Sequence, residues 1–276
     1  MSLPGRLVEL PQGRMFVHQE GQGPPLVLLH GFLVSHFYFR PILEELARHF
    51  EVFALDLIGQ GESDHPSPDR FSYRLPALAD AVTACLDALS LPRVRLFGHS
   101  MGGAVALTLA ARHPDRVHRL LLEDAAVYPL PLPLSAKLAL VPGIGPILFK
   151  RLYSRADLAR HFRSVYQNPS LATDELIDYY WERFNRAGAR DACYALLRTL
   201  ASMPEQNGDI GRVQCPLLIA WGAEDQTTPV ELGRRLANEL PSARFEVIPG
   251  CAHSPHEERP QELLATVLPF LLDRAN

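Results

Sequence analysis

Apolar positions along this chain follow two rhythms that take turns. Continuous apolar runs occupy residues 26–31 (LVLLHG), 51–57 (EVFALDL), 94–98 (VRLFG), 117–124 (VHRLLLED) and 216–222 (PLLIAWG). Runs of this length without alternation suit strands buried on both faces, as in a parallel sheet. Between them apolar residues return every three or four positions. Ile42, Leu43, Leu46, Ala47 and Phe50 share one face after Pro41, which fits a first helical position. Leu78, Val82, Leu86 and Leu89 mark a second helix, and residues 101–112 a third. Residues 7–20 alternate apolar and polar around Pro11-Gln12-Gly13, the signature of an antiparallel hairpin. A helix near 230–240, a strand at 244–248 and a helix from Pro260 complete the pattern.

The alternation stops between 125 and 211. No strand signal appears there; the stretch opens with YPLPLPL at 128–134 and continues through helical patterns near 156–166, 173–187 and 189–202. Structureless loops of that length are rare, so a helical insertion is expected. Strands alternating with helices elsewhere predict an α/β class, with parallel strands and right-handed crossovers. The expected division is a core of residues 1–124 and 212–276 and an inserted helical unit of residues 125–211.

Composition narrows the function classes. The 276 residues are 47% hydrophobic and 21% charged, which excludes a disordered chain. Net charge is −4 and no basic block occurs, so nothing favours nucleic acid as a partner. The four cysteines, Cys85, Cys193, Cys215 and Cys251, show no CxxC spacing and read as small core residues. No metal and no cofactor are expected. The N-terminal MSLPGRLVELPQG lacks an apolar leader core, and the apolar stretch 138–149 is broken by Pro142, Gly143, Gly145 and Pro146. That stretch is shorter than the about 20 residues of a membrane span. These features predict a cytoplasmic protein without a membrane span, a monomer or homodimer.

The sharpest chemical signal is GHSMGG at 98–103, directly between a predicted strand and a predicted helix. Such a turn forces its middle residue into strained backbone, and small neighbours relieve the crowding. It would lift the Ser100 hydroxyl above the sheet edge, with the helix N-terminus ready to receive an oxyanion. A serine hydroxyl needs a general base. Among eleven histidines, His253 follows the strand at 244–248 and would lie at the sheet edge that carries Ser100. His256 is its rival, and most remaining histidines lie in polar contexts that suggest solvent exposure. The base in turn needs a carboxylate. Asp225, in the loop after 216–222, is the candidate; Asp124 and Glu224 compete. For the oxyanion, the backbone N–H groups of Phe32 and Met101 form the expected pair of donors.

Taken together, HGF at 30–32, DLIGQGES at 56–63, GHSMGG at 98–103, WGAEDQTTP at 221–229 and GCAHSPHEERP at 250–260 resemble the α/β-hydrolase fold superfamily. The resemblance is to its serine esterase and lipase-like members with a helical cap. It implies an eight-stranded, mostly parallel sheet and a cap inserted after the sixth strand. The order Ser100, Asp225, His253 is the order of that family's triad. Asp56 resembles the family's structural turn and is not expected in catalysis.

The fold hosts several chemistries, so the site must decide. Similar dehalogenases and epoxide hydrolases carry Asp at the nucleophile position, where this chain has Ser100. The leading expectation is therefore hydrolysis of a small-molecule carboxylic ester through an acyl-enzyme. The alternative is a carbon–carbon bond hydrolase acting on vinylogous diketones; such relatives often have Asn where this chain has His99. A third reading is a non-catalytic small-molecule receptor. Phe37, Leu140, Val141 and Ile144 are the expected substrate contacts in an apolar pocket. Tyr179, Tyr180 and Trp181 read as cap packing.

Overall fold

Residues 3–204 and 210–273 are described by the structure, a computed structural model. Eight strands form one sheet: β1 (Arg6–Val8), β2 (Met15–Glu20), β3 (Pro25–Leu29), β4 (Glu51–Leu55), β5 (Val94–His99), β6 (Val117–Glu123), β7 (Leu217–Gly222) and β8 (Arg244–Ile248). Their order is β1-β2-β4-β3-β5-β6-β7-β8. β1 and β2 form the hairpin expected around Pro11, and β2 pairs antiparallel with β4. All other pairings are parallel.

Eleven helices are described: α1 (Arg40–Ala47), α2 (Leu75–Ala88), α3 (Met101–Arg112), α4 (Leu134–Ala139), α5 (Gly145–Ile147), α6 (Arg155–Ser164), α7 (Asp174–Phe184), α8 (Ala189–Ala201), α9 (Val230–Glu239), α10 (Pro255–Glu258) and α11 (Pro260–Leu271). The apolar runs are buried from both sides. On β3, Val27 and Leu29 join the core against α2 and α3, while Leu26 and Leu28 join the core against α1 and α11. That two-sided burial is why the runs show no alternation.

Between β6 and β7 the described residues form helices and no strand. α6, α7 and α8 match the three helical patterns of the sequence, each within a few residues. Local caps set two of the starts: Ser154 and Asp157 form a capping box at α6, and Thr173 accepts from the Leu176 amide at α7. Short α4 and α5, with a wide turn at Leu148–Leu152, lie in a stretch whose Pro142, Gly143, Gly145 and Pro146 interrupt any periodic pattern. A third apolar cluster joins α6–α8 to Leu33, Val34, Phe37 and Tyr38 of the core. No helix of the described residues is long and apolar enough to cross a membrane.

Parallel pairing puts the C-terminal ends of β3, β5, β6, β7 and β8 at one edge of the sheet. The segments leaving that edge carry Phe32, Ser100, Asp124, Asp225 and His253.

Candidate active site

β5 turns into α3 at Ser100, whose φ of 52° and ψ of −119° lie where L-residues are strained. The turn is tight enough to demand its glycines. A Cβ on Gly98 would stand 2.6 Å from the Gly102 carbonyl oxygen, and one on Gly102 would stand 2.1 Å from that of Leu29. The bend is pinned by backbone bonds: the Ser100 amide donates to the Glu123 carbonyl at 2.9 Å, and the Ser100 carbonyl accepts from Ala126 at 3.0 Å.

So held, the Ser100 Oγ lies 2.9 Å from Nε2 of His253. Nδ1 of the same ring lies 2.7 Å from Asp225 Oδ2. The sequence expectation named these three residues, and the structure brings them together, all buried. Asp225 is itself cradled: its Oδ1 accepts from the amides of Thr227 (2.7 Å) and Thr228 (3.0 Å), and its Oδ2 from the Thr228 hydroxyl at 2.6 Å. Burial would raise its pKa, but the His253 charge and these hydrogen bonds outweigh it and hold the carboxyl down at about 2.

The rivals find other places. Asp124, with φ of 46°, accepts from the Gly222 amide at 3.0 Å and sits beside Asp225. Burial and the charges of Asp225 and Glu123 push Asp124 well above the ordinary carboxylate range, which favours its neutral form beside Asp225. Glu224 accepts from the Cys251 amide at 3.1 Å. His256 pairs through Nδ1 with Glu123 Oε2 at 2.6 Å, away from the serine hydroxyl.

Phe32 follows β3, and among the described residues neither its amide nor that of Met101 donates a hydrogen bond. The loop that presents Phe32 is braced from below. Gln60 Oε1 accepts from the Leu33 amide at 2.6 Å, where Leu33 has φ of 63°. His30 Nδ1 donates to the Gly31 carbonyl at 2.8 Å, and its Nε2 accepts from the Leu57 amide at 3.0 Å. Asp56 accepts from the His36 ring at 2.9 Å and from the Glu62 amide at 2.7 Å, a structural role. Sequence reasoning missed Gln60, whose only signal was its place in the DLIGQGES turn.

The expectation that most histidines other than His253 and its rival His256 are solvated fails for His18, His36 and His99. His18, His30, His36, His99 and His256 are all buried. His30 and His99 lie at strand ends, His18 lies within β2, and His36 and His256 lie in short helical turns; in each case tertiary neighbours close over the ring, an effect that local polarity does not report. His99 Nε2 donates to the His253 carbonyl at 2.8 Å, so the residue before Ser100 positions the loop of the base. Burial drives both His99 and His256 down to about 3 and raises Glu123 to about 7.

Two groups bring three possible metal donors together: His99, Glu123 and His256, and Asp124, Asp225 and His253. In each, one imidazole–carboxylate pair stands only 2.6 or 2.7 Å apart. Ligands of a tetrahedral zinc, at about 2.0–2.2 Å from the metal, stand roughly 3.3 Å from each other. The observed spacings are those of shared protons.

The helices between β6 and β7 approach His253 directly. The His253 amide donates to the Val165 carbonyl at 3.0 Å. His161, one turn earlier on α6, is pushed down to about 4 by burial and by the His253 charge. Of the expected substrate contacts, Phe37 is buried and packs on Tyr179 at 4.6 Å, and Leu140 is partly buried against the same cluster. Val141 and Ile144 are 41% and 59% exposed. A small cavity is lined by residues including Leu33, Gln60, His65, Tyr180, Arg183 and Cys193; Ser100 and His253 do not line it. Tyr179 and Tyr180 are buried in the inter-helix cluster, with Trp181 packed against it.

A family model described as alpha/beta hydrolase fold matches residues 24–260. Pimeloyl-[acyl-carrier protein] methyl ester esterase of Chromobacterium violaceum is 29% identical over 278 residues, covering 95% of this chain and 99% of the relative. 2-Hydroxymuconate semialdehyde hydrolase of Pseudomonas sp. (strain CF600) is 28% identical over 268 residues, covering 94% of this chain and 91% of the relative. A crystal structure of a meta-cleavage product hydrolase mutant superposes with a TM-score of 0.84 at 23% identity over 98% of both chains, a likeness of fold.

Proposed function

Because the chain belongs to the α/β-hydrolase fold family and is a hydrolase of that kind, we propose that it cleaves carboxylic esters of small or medium apolar substrates through a Ser100–His253–Asp225 triad. The observation that carries this reading is the continuous relay from Ser100 Oγ to His253 (2.9 Å) to Asp225 (2.7 Å).

In this reading His253 Nε2 takes the Ser100 proton as Oγ attacks the ester carbonyl. The ionised Asp225 accepts from Nδ1–H, fixes the tautomer and stabilises the imidazolium. The amides of Phe32 and Met101 receive the oxyanion; one such donor contributes roughly 2.7–4 kcal/mol in other hydrolases. His253 then protonates the departing alkoxide, and water, deprotonated by the same ring, releases the acid. An alkoxide leaves more readily than an amide nitrogen, which favours esters over peptides. Residues 125–211 act as the cap, and Phe37 and Leu140, packed at its junction with the core, face the substrate. Val141 and Ile144, being exposed, contribute only if the cap moves.

A second reading, cleavage of a carbon–carbon bond in a vinylogous diketone, is favoured by the similarity to 2-hydroxymuconate semialdehyde hydrolase. His99, bonded to the His253 carbonyl beside the nucleophile, separates this chain from the Asn expected for that chemistry.

The test is hydrolysis of p-nitrophenyl esters of graded chain length beside a ring-cleavage diketone, with labelling by an organophosphonate. Ester turnover with labelling of Ser100 supports the proposal. Turnover of the diketone alone moves the assignment to carbon–carbon hydrolysis. An unlabelled serine and no turnover leave a receptor.

A further inference from the structure

Seven large apolar side chains are exposed among the described residues, and six fall in one stretch: Leu134, Leu138, Val141, Ile144, Ile147 and Leu152. Their exposures run from 41% to 71%, so these side chains stand in solvent rather than at the rim of a core. The inner face of the same stretch is already filled. Ala139 and Gly145 are buried, and Phe149 packs on Tyr153, Phe184 and Tyr194 with ring centroids 5.4–5.7 Å apart. The outer apolar face therefore has no place left in its own fold. The short elements that carry these side chains, α4, α5 and the wide turn at Leu148–Leu152, pack on one another, and exposed apolar residues concentrated in one such segment mark an interaction site.

Charge says what kind. From 125 to 156 there is no Asp or Glu, although the chain as a whole is acidic at −4. The same stretch holds Lys137, Lys150, Arg151 and Arg155. Lys150 is committed to Asp191 at 2.5 Å and Arg155 to Asp178 at 2.5 Å. Lys137 and Arg151 are exposed and form no ion pair among the described residues.

We propose that the outer face of residues 134–152 is a peripheral docking surface for an anionic lipid bilayer. Leucine and isoleucine side chains enter the boundary between headgroups and acyl chains while Lys137 and Arg151 meet the phosphates, the arrangement of an interfacial segment. A second copy fits less well, because a two-fold contact through this patch would set each protomer's free cations against the other's. An acidic protein would match two cations but leave six apolar side chains to find partners. The inner side of the stretch joins the cluster that includes Leu33 and Val34, next to the loop of Phe32. Docking would therefore seat the roof of the candidate site on the lipid.

The inference does not depend on the reaction assigned to Ser100. It is tested by flotation of the full chain with vesicles of phosphatidylglycerol and phosphatidylcholine in equal parts, beside phosphatidylcholine alone. The parent is expected to float with the mixed vesicles and to be released by salt. Lys137→Glu and Arg151→Glu should each weaken binding by about five-fold or more. Leu134→Glu with Leu152→Glu should abolish it while thermal unfolding stays that of the parent, since both side chains are exposed. Absence of flotation by the parent, or variants that float as the parent does, overturns the proposal. So does a parent dimer in sedimentation that Leu134→Glu with Leu152→Glu dissolves without any vesicle binding, or salt-sensitive capture by an acidic protein with no vesicle binding.

Discussion

The backbone amide of His253 donates to the carbonyl of Val165 at 3.0 Å, tying the loop of the candidate base to the helical segment above it. Neighbouring bonds repeat the tie. Glu258 accepts from the amides of Gln167 (2.7 Å) and Asn168 (3.2 Å) through one oxygen and from Ala252 (2.8 Å) through the other. Tyr166 donates to Glu257, which also accepts from Arg40. Residues 165–168 and 252–258 thus form one hydrogen-bonded seam.

Glu258 is the residue of that seam that can be removed without touching the triad. Glu258→Ala leaves three amides without their acceptor; because these bonds are exposed or half-buried, the loss should be about 0.5–1.5 kcal/mol. Urea unfolding should show that loss, and kcat should fall because the His253 loop is no longer anchored. Glu258→Gln, which keeps an acceptor oxygen, should recover part of both. Unchanged stability and kcat in Glu258→Ala would show that the seam does not position His253.

Ser100 predicts a trade between stability and activity. Its φ of 52° is strained for serine and natural for glycine. Ser100→Gly should abolish ester turnover and raise stability by about 1 kcal/mol, the strain recovered less the chain entropy of glycine. Thermal melts and p-nitrophenyl butyrate hydrolysis on one preparation check both. A variant that is less stable than the parent contradicts stored strain at this turn.

Much of this is legible in the sequence alone. The two-sided apolar runs gave the strands, since parallel strands buried on both faces cannot alternate. GHSMGG gave the turn, since few residues other than glycine fit at 98 and 102. Three things were not legible. Histidines such as His18, His36 and His99 look polar in one dimension and are buried in three. Gln60 and His99 act through backbone groups far away in sequence, and nothing local marks them. Val141 and Ile144 look like pocket residues because apolarity along a chain does not say which side faces water.

Two buried aspartates adjoin one another behind His253, and their surroundings pull them in opposite directions. Asp225 is held down at about 2, whereas Asp124 is raised by burial and by its acidic neighbours. Asp225→Asn should therefore cut kcat on the order of 10⁴-fold, as removal of the charge does in the known triad case. Asp124→Asn replaces a neutral donor by a neutral donor and should stay within about ten-fold of the parent. The reverse ranking in kcat would move the acid to Asp124.

The buried groups also set the pH of greatest stability. Burial lowers His30, and lowers His99 and His256 to about 3, from an ordinary 6.5. His65 and His161 are lowered in the same sense. Below pH 6.5 the unfolded chain takes up protons that these folded rings refuse, so the stability they confer is present above that value and is lost as pH falls toward 3. Glu123 and Asp124 act oppositely. Glu123 is raised from 4.5 to about 7, and Asp124 is raised further above its own range. Their contribution is complete below their unfolded values and is lost as pH rises through the folded ones. Between 4.5 and 6.5 the histidines outnumber the carboxyls, so stability should climb with pH, by up to about 1.4 kcal/mol per pH unit for each unmatched proton. Above 6.5 the histidines are silent in both states and only the raised carboxyls titrate, so stability should decline. Urea unfolding at about pH 5, 6.5 and 8 should give the highest midpoint at the middle value. A midpoint still rising at pH 8 would mean that burial does not raise Glu123 and Asp124 in the folded protein.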